Sequence, residues 1–323
     1  MAHIHTPLLD SASMREAAAR QVLLKMEAMQ PTGSFKARGI GRLCEVFKAE
    51  GVGHLVSSSG GNAGIAAAWS GRRLGLPVTV VVPETTPVWM RGRIAREGAE
   101  VIVHGAGWNE AHARALEIAA QIGAEAGRPA GVVHPFDHPA IWSGHATMIA
   151  EVQQALAEGL EGGARAPGAV VLSVGGGGLL MGVLQGLEAA GWSHVPIIAV
   201  ETEGAASLKR AMEAGCPVDI GAIRTVAGSL GARRIEGPIL EAALRRPVVP
   251  CAVTDAEAIG ACRRFLDDHR VLVEPACGAA LSVIYNNPSD ILDKALGGPL
   301  LAIVCGGAVV TLEQLQRWEA QVG

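Results

Sequence analysis

Gln30-Pro31-Thr32-Gly33-Ser34-Phe35-Lys36-Ala37-Arg38-Gly39 places one lysine where an extended segment turns into a helix. Ser34 reads as the N-cap, which leaves Lys36 in the first helical turn. The helix dipole disfavours a cation there and makes the neutral amine more accessible. A neutral lysine is a nucleophile able to form a Schiff base with an aldehyde. The same residues also describe an ordinary surface lysine at a helix start. What surrounds the segment has to decide.

Working outward, short apolar runs alternate with longer amphipathic stretches, the pattern of an α/β fold with mostly parallel sheets. Upstream, a helix is expected over residues 11–19 and a strand over 22–24. Downstream, strands are expected at 54–56, 78–82, 100–103 and 132–133. Helices are expected over 62–74, 87–96 and 108–122. Residues 35–133 therefore form a small domain of strand–helix units joined by short loops. His134-Pro135-Phe136-Asp137-His138-Pro139 breaks the pattern and returns the chain to a large domain made of 1–34 and 134–323. There, strands at 169–174, 197–200, 248–253 and 300–304 alternate with helices over 179–189, 205–214 and 255–268, after Pro275, and from Thr311. Residues 158–168 read as a Gly/Ala surface loop.

Bulk properties narrow the function classes. A chain of 323 residues with 49% hydrophobic content buries a full core. A net charge of −4 and 3% aromatics argue against nucleic acid or an anionic membrane surface as partner. The six cysteines, Cys44, Cys216, Cys251, Cys262, Cys277 and Cys305, show no CxxC and no pairing rhythm, as in a reducing cytosol. No basic n-region with an apolar core opens the chain, and no apolar run approaches the ~18 residues of a membrane helix. A soluble, cytoplasmic protein is expected. The ten histidines show no metalloprotease spacing and G-x-S-x-G is absent, so neither a metal hydrolase nor a serine hydrolase is supported.

Three glycine-rich turns follow strands. Gly175-Gly176-Gly177-Gly178 precedes a helix, so converging N–H groups and the helix N-terminus make an anion cradle. A dinucleotide fingerprint with Glu201 as the ribose acid is the rival, but Leu180 stands where it needs Gly or Ala. A single phosphate is the favoured guest. Ser57-Ser58-Ser59-Gly60-Gly61-Asn62-Ala63-Gly64 offers N–H groups, hydroxyls and the Asn62 amide to a carboxylate, or is a helix cap with loose serines. Cys305-Gly306-Gly307 ends a buried strand, where a cysteine is either a small core residue or a ligand-facing thiol.

Together these motifs resemble the catabolic serine/threonine dehydratases of pyridoxal-phosphate fold type II, within them the serine dehydratase-like group. The resemblance covers essentially the whole chain. It rests on Pro31–Gly39, Ser58–Ala68, Pro135-Phe136-Asp137 with Ile141-Trp142 and Gly144-His145, Ser173–Gly178, the run Val273-Glu274-Pro275-Ala276-Cys277-Gly278-Ala279-Ala280, and Val304–Gly307. It implies a tryptophan synthase β-like fold of two three-layer αβα subdomains, and no C-terminal regulatory domain within this chain. It implies pyridoxal 5'-phosphate as cofactor, with Lys36 the Schiff-base lysine and Phe35 flanking the ring. Gly175, Gly176, Gly177, Gly178 and Leu179 match the phosphate loop, Asn62 the residue on the ring hydroxyl, and Cys305 the group facing the ring nitrogen. Ser59, Gly60, Gly61, Asn62 and Ala63 match the substrate-carboxylate loop. Gly175, Glu201, Ala205, Ser207, Leu230 and Ala232 match a potassium site. A homodimer acting on a small amino acid is implied.

The implied reaction is β-elimination of L-serine, or L-threonine, to the 2-oxo acid and ammonia. A thiol with pKa near ~8.5 cannot hold a protonated ring nitrogen as a carboxylate does, which suits elimination. A serine racemase has the same fold but carries a serine at the position of Gly60, which has no side chain. Cysteine and threonine synthases carry Ser or Thr at Cys305. A vestigial cofactor-binding sensor would have lost the lysine, and Lys36 is present.

Overall fold

The computed structural model describes residues 2–159 and 166–322, and part of the expected 158–168 loop lies outside the described residues. Two compact units emerge, one of Met1–Ile4 with Gln30–His145, the other of His5–Met29 with Ala146–Gly323. The chain thus crosses between units at 4/5, 29/30 and 145/146, where the sequence reading had set 34/35 and 133/134. The Lys36 segment and the Pro135–His145 stretch both belong to the first unit.

The second unit receives the first elements, β1 (Leu8–Asp10), α1 (Ala12–Ala18) and β2 (Val22–Lys25). Ser11 caps α1 by accepting from Met14 N, the side-chain cap expected of serine. The first unit then runs α2 (Lys36–Ala49), β3 (His54–Ser57), α3 (Asn62–Leu74), β4 (Val78–Val82), α4 (Val88–Arg96), β5 (Glu100–Val103), α5 (Trp108–Ala126) and β6 (Ala130–Val133). Its four strands form a wholly parallel sheet in the order β5-β4-β3-β6. Val80, Val81 and Val82 are all fully buried, the continuous apolar run of a parallel strand covered on both faces. On one side Val56 and Val81 pack with Ala111, Ala115, Ile118 and Ala119 of α5. The small alanines let that helix approach the sheet closely.

Next, α6 runs Pro139–Ala157, its first residues counted with the first unit and the rest with the second. The second unit continues with β7 (Ala169–Ser173), α7 (Gly178–Ala189), β8 (Ile197–Thr202), α8 (Ser207–Ala214), α9 (Gly237–Leu244), β9 (Val248–Val253), α10 (Asp255–His269), α11 (Pro275–Asn286), α12 (Ser289–Leu292), β10 (Leu300–Ile303) and α13 (Leu312–Val322). Its sheet order is β1-β2-β10-β7-β8-β9, antiparallel only between β1 and β2. β10, β7 and β8 are adjacent and parallel, so the residues that follow them leave from one edge of the sheet. Parallel sheets gather ligands at that edge. α11 is buried at every position up to Tyr285 and packs on β7, β8 and β10. Among the described residues, no helix is long and apolar enough to cross a membrane.

The mostly parallel α/β fold expected from the sequence is the fold observed. β1, α6, α9 and the short α12 went unread. In α6 the start Pro139-Ala140-Ile141-Trp142-Ser143-Gly144-His145 mixes Pro, Gly and His, which hides a helix. Its buried residues Ile141, Met148, Ile149, Val152 and Leu156 nonetheless recur at helical spacing.

Candidate active site

In the first unit, Lys36 is the first residue of α2. The expected Ser34 cap is not made. The N-cap is Phe35, without a side-chain cap bond, and Ser34 contributes only its carbonyl, which accepts from Ala37 N at 3.3 Å. The Ser34 hydroxyl is buried without a hydrogen-bond partner among the described residues. Lys36 Nζ donates to Pro135 O at 2.6 Å and sits 5.3 Å from the centroid of the Phe35 ring. Phe35 packs on His145, ring centroids 4.8 Å apart. His145 is fully buried, and neither ring nitrogen is hydrogen-bonded among the described residues. Burial holds it neutral, well below the usual imidazole range, and the positive Lys36 and Arg38 act in the same direction.

The Ser58–Gly61 loop, the candidate carboxylate binder, leaves the C-terminal end of β3 and enters α3 at Asn62, with Gly61 as N-cap and no side-chain cap bond. The helix N-terminus is thereby open to an anion. Gly64 makes the turn possible, because a Cβ there would overlap the Ser59 carbonyl. Asn62 and Ala63 are buried, and Ser59 Oγ accepts from Gly61 N at 3.4 Å. A Cβ at Gly60 would fall 2.8 Å from Thr86 Cγ2 and closer still to Thr86 Oγ1. The buried Thr86 side chain therefore fills the volume that a side chain at position 60 would use.

The sequence reading missed the histidines of this unit, because no linear spacing joins them. His134, whose pKa is lowered by burial, lies within electrostatic range of Asp137, His112, Lys36 and His138. Its Nδ1 accepts from Phe136 N and Asp137 N, at 3.3 and 2.8 Å, which shapes the turn carrying the Pro135 carbonyl.

In the second unit, three adjacent parallel strands bring the other candidates to one sheet edge. After β7, Gly175–Gly177 lead into α7, whose N-cap Gly177 has φ +83° and no side chain to cap the turn. A residue with a Cβ is strained at that φ, and Ile239 occupies the space a Cβ would need. Leu179 is buried in the first turn of α7. The Ser173 hydroxyl is buried without a hydrogen-bond partner among the described residues. After β10 comes Cys305, buried, its thiol donating weakly to Ile303 O at 3.5 Å. Cys277 lies beside it, and burial, with Cys305 adding, pushes the Cys277 thiol well up.

Glu201, near the end of β8, is fully buried and accepts from Leu208 N and Lys209 N at 2.7 and 2.8 Å. Burial pushes its carboxyl up to about 7 against the pull of those N–H groups. Ala205 precedes α8 and Ser207 opens it, both buried. Gly175 lies against Ser229 O and Leu230 Cα, at 2.8 and 3.1 Å from its Cβ position. Ala232 N donates to Leu230 O at 2.7 Å.

These residues fit a phosphorylated pyridine aldehyde. The second unit offers a helix N-terminus without a side-chain cap for phosphate, and a thiol two residues past β10. The first unit offers a primary amine and a second uncapped helix N-terminus for a carboxylate. Three comparisons agree. The family described as pyridoxal-phosphate dependent enzyme matches residues 1–306. A mouse (Mus musculus) protein described as serine dehydratase-like is 48% identical over 327 residues, spanning 99% of this chain and 95% of the relative. A human (Homo sapiens) L-serine dehydratase/L-threonine deaminase is 43% identical over 327 residues, spanning 99% and 96%. The crystal structure of an L-serine ammonia-lyase from the fungus Rhizomucor miehei superposes with a TM-score of 0.90 at 35% identity, covering 99% of each chain. The chain belongs to the pyridoxal-phosphate dependent enzyme family.

Proposed function

We propose that this chain is an ammonia-lyase that eliminates water from L-serine, and from L-threonine, releasing an enamine that hydrolyses to pyruvate, or 2-oxobutanoate, and ammonia. The observation that carries the reading is the Lys36 amine opening α2, in a chain whose relatives over 99% of its length are named for this activity. When bound, pyridoxal phosphate supplies an electron sink for loss of the Cα proton. Lys36 Nζ, as a neutral amine, takes that proton. The N–H groups of the Ser59–Ala63 loop and the Asn62 amide hold and orient the substrate carboxylate. The Gly175–Leu179 turn would hold the phosphate, and the Cys305 thiol, in place of a carboxylate, would stand by the ring nitrogen.

The monovalent ion belongs to the same proposal. Glu201, with oxygens of Gly175, Ala205, Ser207, Leu230 and Ala232, would hold potassium at a carboxyl that burial otherwise keeps partly protonated. The protein is read further as a cytoplasmic homodimer, consistent with six free cysteines. Light scattering on the purified protein checks the dimer.

Product analysis tests the function. Cofactor-loaded protein given L-serine should release pyruvate and ammonia in equal amounts with little D-serine. Racemisation requires a proton donor within ~2.6–3.2 Å on the opposite face, and Gly60 supplies none. D-serine as the main product would overturn the proposal in favour of a racemase.

A further inference from the structure

Ser58 is buried and stands immediately before the carboxylate loop Ser59–Ala63. Its hydroxyl is hydrogen-bonded to His112 Nδ1 at 2.9 Å. His112 lies in the second turn of α5, and its ring stacks on Trp108 of the preceding turn, centroids 4.7 Å apart and planes 9° from parallel. That geometry fixes the ring plane and aims Nδ1 at Ser58. Nothing in the reaction above uses His112, Trp108 or Ser58. A buried hydroxyl that loses its partner must be re-solvated or moved.

We propose that His112 is a positioning residue for substrate binding: through Ser58 it fixes the loop whose N–H groups receive the amino-acid carboxylate. This rests on the ammonia-lyase reading for the identity of the ligand, but the contact itself stands without it. With Nδ1 accepting, the Ser58 O–H is committed to His112 and the loop backbone is held; the Nε2–H tautomer does this. Trp108, which is partly exposed, keeps the imidazole in that plane. The effect belongs in the affinity for substrate, because carboxylate binding is made equally in the ground state and the transition state.

Two measurements test the proposal. His112→Ala in the cofactor-loaded protein should raise KM for L-serine about tenfold while kcat changes less than about twofold, the signature of lost uniform binding. His112→Asn, whose side-chain amide can place an acceptor near the Nδ1 position, should restore KM to within roughly threefold of wild type, as expected if one hydrogen bond carries the effect. Independently of activity, hydrogen exchange of residues 57–63 in the cofactor-free full chain should accelerate in His112→Ala and not in His112→Asn. Unchanged KM and exchange in His112→Ala, or equal impairment of both variants, would overturn it. If the wild type makes no pyruvate, the ammonia-lyase reading fails, and the exchange measurement still decides the role of His112.

Discussion

At the scale of single residues, Gly60 and Thr86 form a matched pair. Gly60→Ser looks like the simplest way to place a proton donor on the face opposite Lys36, but the Thr86 side chain already fills that volume. Thr is β-branched with a stiff χ1 and has little freedom to retreat. Gly60→Ser alone should therefore destabilise the protein by about 1–3 kcal/mol, the usual cost of overpacking, and yield little D-serine. Gly60→Ser with Thr86→Ala should recover most of that stability and give more D-serine than either single change. Thermal denaturation and chiral chromatography of the products check both halves. Equal stability of wild type and Gly60→Ser would show that the space is free.

His145 gives a pH prediction at the same scale. Its folded pKa is depressed by burial, so the folded state resists the proton that the unfolded chain accepts below about 6.5. The neutral ring thus contributes stability present above pH 6.5 and lost as pH falls, at up to about 1.4 kcal/mol per pH unit. Neither ring nitrogen has a hydrogen-bond partner among the described residues, so His145→Leu sacrifices no hydrogen bond seen there. Denaturant titrations between pH 7 and 5 should show a shallower stability loss in His145→Leu than in wild type. Identical slopes would mean that His145 takes up its proton without penalty.

At the scale of elements, the approach of Gly39 to Gly144 sets the start of α2 and hence the place of Lys36. A Cβ at Gly144 would fall 2.6 Å from Arg38 O and 2.8 Å from Gly39 Cα. Gly144→Ala should cost about 1–3 kcal/mol and lower kcat by moving the amine, measured by denaturation and steady-state kinetics. Stability and kcat both equal to wild type would refute the constraint. In the second unit, potassium at Glu201 should raise Tm and activity above values in sodium or lithium, a difference that Glu201→Ala should abolish. The parallel strands were legible because runs such as Val78–Val82 are continuously apolar between Gly/Pro punctuation. Ser34 misled, because propensity alone cannot show that the backbone places Phe35 at the cap. Likewise, no spacing rule joins Ser58 to His112, which two strands, two helices and their loops separate in the chain.

At the scale of the whole molecule, the candidate residues are divided between two α/β units. Lys36, the Ser59–Ala63 loop, His112, His134 and His145 belong to the first, and the Gly175–Gly178 turn, Cys305 and Glu201 to the second. The motif residues could be read from sequence because strand–glycine–helix junctions have a local physical signature. Thr86 and the histidines could not, because their roles come from what folding sets beside them. The proposed reaction depends on one amine, that of Lys36. The most direct measurement is borohydride reduction of the cofactor-loaded protein followed by peptide mapping. The reduced cofactor should be found on Lys36, and Lys36→Ala should carry no label and form no pyruvate from L-serine. Label on Lys25, Lys48, Lys209 or Lys294, or pyruvate from Lys36→Ala at the wild-type rate, would contradict it.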